Sequence, residues 1–172
     1  LTMGGSPFLY YGDEIGMGDN IWLEDRNGLR TPMQWDNSLN AGFSSAPPEK
    51  LYAPVISDNT YGYAQVNVAA QRADPNSLLN RVRQMLAIRK QHPAFGWGTF
   101  DWEDTGNNAI AAYRRTTEEE ALLIANNLSD QTISLSLPKD FLAAEDVLTG
   151  QQFTEAHIQL EPYRFIWLSQ LS

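Results

Sequence analysis

Between Gly12 and Pro75 the sequence holds neither the period of a helix nor that of a strand for more than a few residues. The stretch is dense in Asn, Asp, Gly and Pro, with turn-forming pairs at Asn27-Gly28, Pro47-Pro48 and Asp58-Asn59. Compact domains rarely carry structureless loops longer than about 12–15 residues, and the long ones they carry are usually functional. This loop also holds Trp22, Trp35, Phe43, Tyr52, Tyr61 and Tyr63. Some of these rings are expected to pin it as a small core of its own.

The flanks constrain what the loop belongs to. Residues 6–12, Ser-Pro-Phe-Leu-Tyr-Tyr-Gly, are apolar and aromatic without polar alternation. They read as a strand buried on both faces, since the run is too short and too aromatic for a helix. Asp74-Pro75-Asn76-Ser77 opens a helix in which Leu78, Val82, Met85 and Leu86 share one face. Arg89, Lys90 and His92 suit its negative end, and Pro93 stops it. A boundary is expected between Pro93 and Gly98. Beyond it, strand candidates at 109–115, 121–126, 132–137, 145–148, 157–160 and 163–168 alternate with turn clusters. Ile133, Leu135 and Leu137 fall on one face and Thr132, Ser134 and Ser136 on the other. That spacing predicts a small antiparallel sandwich or barrel.

Composition removes several classes of function. Twelve basic against 21 acidic residues give a net charge of −9, which disfavours phosphate backbones. Five of the twelve basic residues lie between Arg72 and Lys90, and a solvated helix face accounts for them. No apolar run approaches the roughly 18 residues that span a bilayer. Without cysteine there is no disulfide framework and no thiolate site. The chain starts at Leu1 with no secretory pattern, and the expectation is a cytoplasmic protein of which this is a piece.

Several sites fail on inspection. A calcium loop with Gly28 at its invariant glycine would need carboxylates where Leu23 and Gln34 stand. The glycines at 4, 5, 12, 16 and 18 lack the Gly-Lys-Ser/Thr of a phosphate cradle. His92 and His157 share no zinc-site spacing, so neither a metal nor a cofactor is expected. The sequon Asn127-Leu128-Ser129 is of a kind common by chance. Asp13 and Glu14, as strand neighbours, would point to opposite faces and are expected to hold loop backbone rather than act on one bond. What remains is the loop, where flat rings can stack on sugars and Arg, Asp and Asn can bond vicinal hydroxyls.

Gly5-Ser6-Pro7-Phe8-Leu9-Tyr10-Tyr11-Gly12-Asp13-Glu14 resembles the eighth-strand motif of the alpha-amylase family of glycoside hydrolases. Ile15-Gly16-Met17-Gly18-Asp19-Asn20, Arg30-Thr31-Pro32-Met33-Gln34-Trp35 and Asn40-Ala41-Gly42-Phe43-Ser44 continue the likeness. Tyr61-Gly62-Tyr63, Val66-Asn67-Val68 and Arg89-Lys90-Gln91-His92-Pro93-Ala94-Phe95 narrow it to the trehalose synthase branch. The Arg30 motif alone is shared with oligo-1,6-glucosidases. Ala69 departs from the pattern, which usually has an acidic residue there.

The resemblance implies an α+β fragment: the last strand, long loop and last helix of a (β/α)8 barrel, then a small antiparallel β-sandwich. Residues 1–92 would be the barrel's end and residues 93–172 the all-β domain. Barrel active sites form on the loops that follow the strands, which suits the unusual loop after Gly12. The implied reaction interconverts maltose and trehalose by intramolecular glucosyl transfer with retention. It uses a carboxylate nucleophile and an acid/base about 5–5.5 Å apart. In the family both, and a third acid, lie on earlier strands, so this chain is expected to hold no catalytic residue. One direct substrate ligand is carried over, Arg30, which in relatives bonds the innermost glucosyl unit and pairs with an upstream Asp. Two alternatives remain: an oligo-1,6-glucosidase or other alpha-glucosidase, and a non-catalytic carbohydrate-binding module. The isolated chain is expected to self-associate through residues 1–20.

Overall fold

The computed structural model describes residues 1–171. Its backbone divides into two compact units, one of Phe8–Gln84 and one that joins Leu1–Pro7 to the chain from Met85 onward.

In the unit Phe8–Gln84 regular structure is sparse, as the missing periodicity requires. It holds four short 3-10 helices, at Asp13–Ile15, Asp25–Arg30, Leu39–Gly42 and Pro48–Lys50, and the helix α1 (Val68–Ala73). Asn67 caps α1, its side chain accepting the Ala70 amide at 2.8 Å. Helix α2 (Leu78–Gln91) follows, with the Ser77 hydroxyl accepting the Asn80 amide at 3.2 Å. The apolar centre is small: Ile15, Met33, Val68 and Leu79, with Met17 and Val66 against them. Here Leu79 is buried and Leu78 is 45% exposed, so the expected helix face is off by one residue at its start. Gln71 sets that phase by accepting the Leu79 amide at 3.0 Å while donating to the Ile15 carbonyl at 2.7 Å.

Residues 8–11 form no ladder, and Phe8 is 96% exposed. A strand buried on both faces needs paired strands on its edges and cover on its faces, and among the described residues nothing supplies either to this segment.

The second unit is built on a six-stranded antiparallel sheet in the order β1-β2-β3-β8-β5-β6. The strands are β1 (Thr99–Glu103), β2 (Ile110–Thr116), β3 (Ala121–Asn127), β5 (Ala144–Asp146), β6 (Gln151–Phe153) and β8 (Phe165–Gln170). A two-stranded sheet pairs β4 (Ile133–Ser136) with β7 (His157–Leu160). Every strand expected after Pro93 has a counterpart, although the one expected at 145–148 is Ala144–Asp146, with Val147 and Leu148 in a turn, and β8 begins at Phe165, after Tyr163 takes φ 56°. Neither β1, β6 nor α1 is announced by the hydrophobic period of the sequence. The first core lies between the sheets: Ala112 of β2, Leu123 and Ala125 of β3 and Ile166 and Leu168 of β8 meet Leu135, Ile158 and Leu160. Their strand neighbours Tyr113, Leu122, Ile124 and Trp167 point the other way, into a second core with Phe95, Met85 and Ile88. Phe95 lies in α3 (Ala94–Trp97), its ring centroid 4.9 Å from that of Trp167.

Two adjacent arginines on β2 show how the faces differ. Arg114 bridges Glu103 and Asp140 at 2.5 Å each, with its guanidinium over the Phe141 ring. Arg115, 1% exposed, has no carboxylate partner among the described residues. It donates instead to the carbonyls of Thr2, Met3, Gly98 and Thr99 at 2.9–3.1 Å. The strap of residues 2–3 is tied a second time, by the 2.5 Å hydrogen bond between the Thr2 and Tyr113 hydroxyls.

Candidate functional site

The carboxylates next to Gly12 hold backbone, as expected. Asp13 accepts the Tyr10 amide at 2.9 Å, and Glu14 accepts the Gly12 amide at 2.8 Å. Both are spent on the turn and form no acid/base pair.

The motif Arg30-Thr31-Pro32-Met33-Gln34-Trp35 divides cleanly by burial. Thr31, Pro32, Met33 and Gln34 are buried, whereas Arg30 and Trp35 are exposed. The Gln34 amide nitrogen donates to the carbonyls of Tyr61 and Val66 at 3.0 and 2.5 Å. Backbone bonds from Val68 to Gln34 and from Ala69 to Trp35, at 3.0 and 2.9 Å, dock α1 on the same strip. The exposed Ala69 thus takes part through its amide alone.

The other motifs serve the same scaffold. Asn40, buried and at φ 55°, donates to the Ser44 and Ala46 carbonyls at 2.9 and 2.7 Å, closing the turn that contains Phe43. A Cβ at Gly62 would lie 2.3 Å from the Asp58 carbonyl oxygen, and one at Gly28 would lie 2.4 Å from that of Asn20. Any side chain at either place would push the loop apart. The signature residues of this region are therefore mostly what keeps an aperiodic loop in one shape.

On that frame Arg30 ends the 3-10 helix Asp25–Arg30 and is exposed. Its backbone carbonyl accepts a hydrogen bond from the Tyr52 hydroxyl. The next carbonyl, of Thr31, accepts from the Tyr11 hydroxyl at 2.9 Å. Burial pushes the Tyr11 phenol up to about 12, helped by the neighbouring Tyr52 and Tyr10, so it stays a neutral donor near pH 7. Among the described residues the Arg30 guanidinium makes no ion pair or hydrogen bond. A pinned backbone thus presents an unspent fork of donors, the form suited to a carboxylate or to adjacent hydroxyls.

The loop aromatics are brought to the surface rather than into one core. Trp22 is 88% exposed, and Trp35, Tyr52 and Tyr61 are each about half exposed or more. Trp22, Ile21, Asp19, Asp58 and Tyr61 line an open groove of about 640 Å³. Its carboxylate Asp58 is held below the usual range by hydrogen bonds from the Tyr61 and Thr60 amides, so it is ionised at neutral pH. Arg30 does not line this groove. Sequence reasoning named the aromatics as a set but missed the groove, which depends on the turn at Asp58. Among the described residues no three His, Cys, Asp or Glu side chains are grouped to hold a metal ion, and no helix is long and apolar enough to cross a membrane.

The family model for the alpha amylase catalytic domain matches residues 1–98, and that for the maltogenic amylase C-terminal domain matches residues 103–167. The chain belongs to the alpha-amylase family of glycoside hydrolases. Within it the likeness is to trehalose synthases. That of Pimelobacter sp. is 51% identical over 145 residues, covering 81% of this chain and 25% of that protein. The trehalose synthase/amylase TreS of Mycobacterium tuberculosis is 52% identical over 142 residues, covering 80% and 24%. An oligo-1,6-glucosidase of Parageobacillus thermoglucosidasius is 31% identical over 201 residues, covering 94% and 34%. Among solved structures, a mutant of MutB in complex with glucose superposes with a TM-score of 0.84 at 25% identity, covering 98% of this chain and 36% of that one. The chain spans about a quarter of the length of the trehalose synthases from Pimelobacter and Mycobacterium.

Proposed function

We propose that this chain is the substrate-holding end of an enzyme that interconverts maltose and trehalose by intramolecular glucosyl transfer with retention. The observation that carries the reading is identity of about one half to trehalose synthases over four-fifths of the chain, against 31% to the oligo-1,6-glucosidase. In such a reaction the released glucose must stay in place and attack again through a different hydroxyl before water does. Residues that position sugar therefore matter as much as those that break the bond.

Arg30 is the residue we assign to that work. Its unspent guanidinium would bond the innermost glucosyl unit and pair with a carboxylate from elsewhere in the enzyme. The nucleophile and the acid/base are assigned to the remainder of the enzyme as well. The two carboxyls best placed in this chain by sequence, Asp13 and Glu14, are engaged by backbone amides. The chain by itself should accordingly neither hydrolyse nor isomerise maltose, because retaining chemistry without its nucleophile loses most of its rate enhancement.

The test is product analysis of the full-length enzyme incubated with maltose. Trehalose as the main product, with glucose minor, is expected. Glucose alone would replace this reading with that of an alpha-glucosidase. A binding module built on the sheet of residues 98–172 would need exposed coplanar rings on one face, whereas Tyr113 and Trp167 of that sheet are buried.

A further inference from the structure

A second cleft lies in the β unit, and its lining includes no residue discussed so far as substrate-holding. Leu86, Arg89, Lys90, His92, Pro93 and Trp97 line most of it, around about 330 Å³. Leu86, Arg89 and Lys90 recur at helical spacing near the end of α2 and so share one face. Pro93 ends that helix, and α3 carries Trp97 back over the cleft.

Trp97 is 90% exposed, yet the helix that carries it is firmly held. Phe95, two residues earlier, is fully buried against Trp167. The Ala94 amide donates to Glu120 at 2.7 Å, and the other oxygen of the same carboxylate bonds His92 Nδ1 at 2.9 Å. Gly98 locks the exit, since a Cβ there would lie 2.6 Å from the Ala94 carbonyl oxygen. The backbone beneath the indole is thus held, and the ring has no aromatic partner among the described residues. An exposed indole offers a flat apolar face on which a ring can stack.

Charge narrows the ligand. Acids outnumber bases 21 to 12 in the chain, but no Asp or Glu lines this cleft, and Arg89 and Lys90 do. Glu120 is already bonded to His92 and the Ala94 amide. One guanidinium nitrogen of Arg89 donates to the Leu1 carbonyl, which leaves the rest of the fork. Lys90 has no ion-pair partner among the described residues. An exposed ring beside two cations fits a ligand with a flat, weakly polar face and an anionic group. The volume, at the small end for ligand sites, suits a monosaccharide rather than a nucleotide.

We propose that this cleft binds a sugar phosphate, its pyranose face stacked on Trp97 and its phosphate held by Lys90 and Arg89. The choice of a sugar as the ring rests on the function proposed above, but the test reads binding and no turnover. A failure here and a failure of maltose conversion are therefore separate results.

The experiment is titration of the full-length enzyme with glucose 6-phosphate by calorimetry, for the unchanged enzyme and for Trp97→Ala, Lys90→Gln and Trp102→Ala. Saturable one-site binding is expected, weakened at least tenfold by Trp97→Ala and by Lys90→Gln and unchanged by Trp102→Ala. Raising the salt should weaken it further, and glucose alone should bind at least tenfold less tightly. Because Trp97 and Lys90 are exposed, neither change should disturb folding, which circular dichroism checks. The proposal is overturned if glucose 6-phosphate does not saturate, or if Trp97→Ala binds as the unchanged enzyme does. It is equally overturned if inorganic phosphate binds as tightly, leaving only an anion patch, or if AMP binds more tightly.

Discussion

Replacing Arg115 by Met should strip the β unit of its strap. Methionine keeps the aliphatic stem inside the core but removes the donors that reach the carbonyls of Thr2, Met3, Gly98 and Thr99. Met3 and Thr99 are exposed residues, so their carbonyls can turn to water, whereas Thr2 is buried and Gly98 half-buried. Two carbonyls are then left without partners, at about 1–3 kcal/mol each. Removing a buried charge gives some of this back, since burial already holds the Arg115 pKa below its ordinary value. A net loss of about 2–4 kcal/mol follows, because the carbonyls that remain have no substitute donor. Trp167 is the one buried tryptophan among the five, so its blue-shifted emission reports this unit during urea unfolding. With a urea slope of about 1–3 kcal/mol/M, the midpoint should fall by roughly 1–2 M. Arg115→Lys should lose less, since an ammonium can still reach part of the cage. A midpoint for Arg115→Met within roughly 0.3 M of the unchanged chain would refute the idea that the cage holds the strap.

Other predictions follow from exposed apolar side chains and from one charged triad. Phe8 is 96% exposed, with Leu9, Tyr10 and Tyr11 each at least 40% exposed, and burying such a side chain is worth roughly 1.5–3 kcal/mol. The isolated chain should therefore self-associate at micromolar concentration in sedimentation velocity, and Phe8→Asp should shift it toward monomer; a monomeric unchanged chain would count against this. Asp140 is held below the usual carboxylate range chiefly by its hydrogen bond from Arg114. Its contribution to stability is present above the ordinary carboxylate pKa and is lost as pH falls through the lowered folded value. Asp140→Asn should thus flatten the acid limb of the stability curve, while an unchanged limb would place that stability elsewhere. Full-length Asn40→Ala should lose about 2–4 kcal/mol of local stability, because two loop carbonyls lose their donor. Faster proteolysis within residues 36–46 is the check, and wild-type resistance would contradict it.

The β unit was legible because its strands alternate between two cores and its turns carry the usual turn residues. Residues 132–137 show this most clearly, with Leu135 and Leu137 buried as the alternation requires. β6 was missed because three residues carry no period, and β1 because Phe100 and Trp102 alternate with acids on an edge strand that stays largely exposed. Helix α1 is six residues long and owes its start to the Asn67 cap and its docking to backbone bonds, neither of which hydrophobic periodicity records. Arg115 was invisible for a related reason. A charged residue in a strand reads as solvent-facing unless the carbonyls that solvate it, from segments up to 113 residues away, are already known. In the loop the motifs marked the right residues, but most of them work as scaffold. Only Arg30 and the surface rings stand free to meet a ligand.

The claim that this chain supplies a sugar-holding guanidinium is tested most directly by the steady-state kinetics of full-length Arg30→Ala and Arg30→Lys on maltose. Removing the fork should leave the opposing carboxylate uncompensated and cost on the order of 3–5 kcal/mol. That corresponds to a fall in kcat/KM of at least about a hundredfold in Arg30→Ala. Arg30→Lys should remain well below the unchanged enzyme, because a single ammonium cannot replace a bidentate contact. Folded variants whose kcat/KM stays within a few-fold of the unchanged enzyme would contradict the account and leave Arg30 as part of the loop's surface.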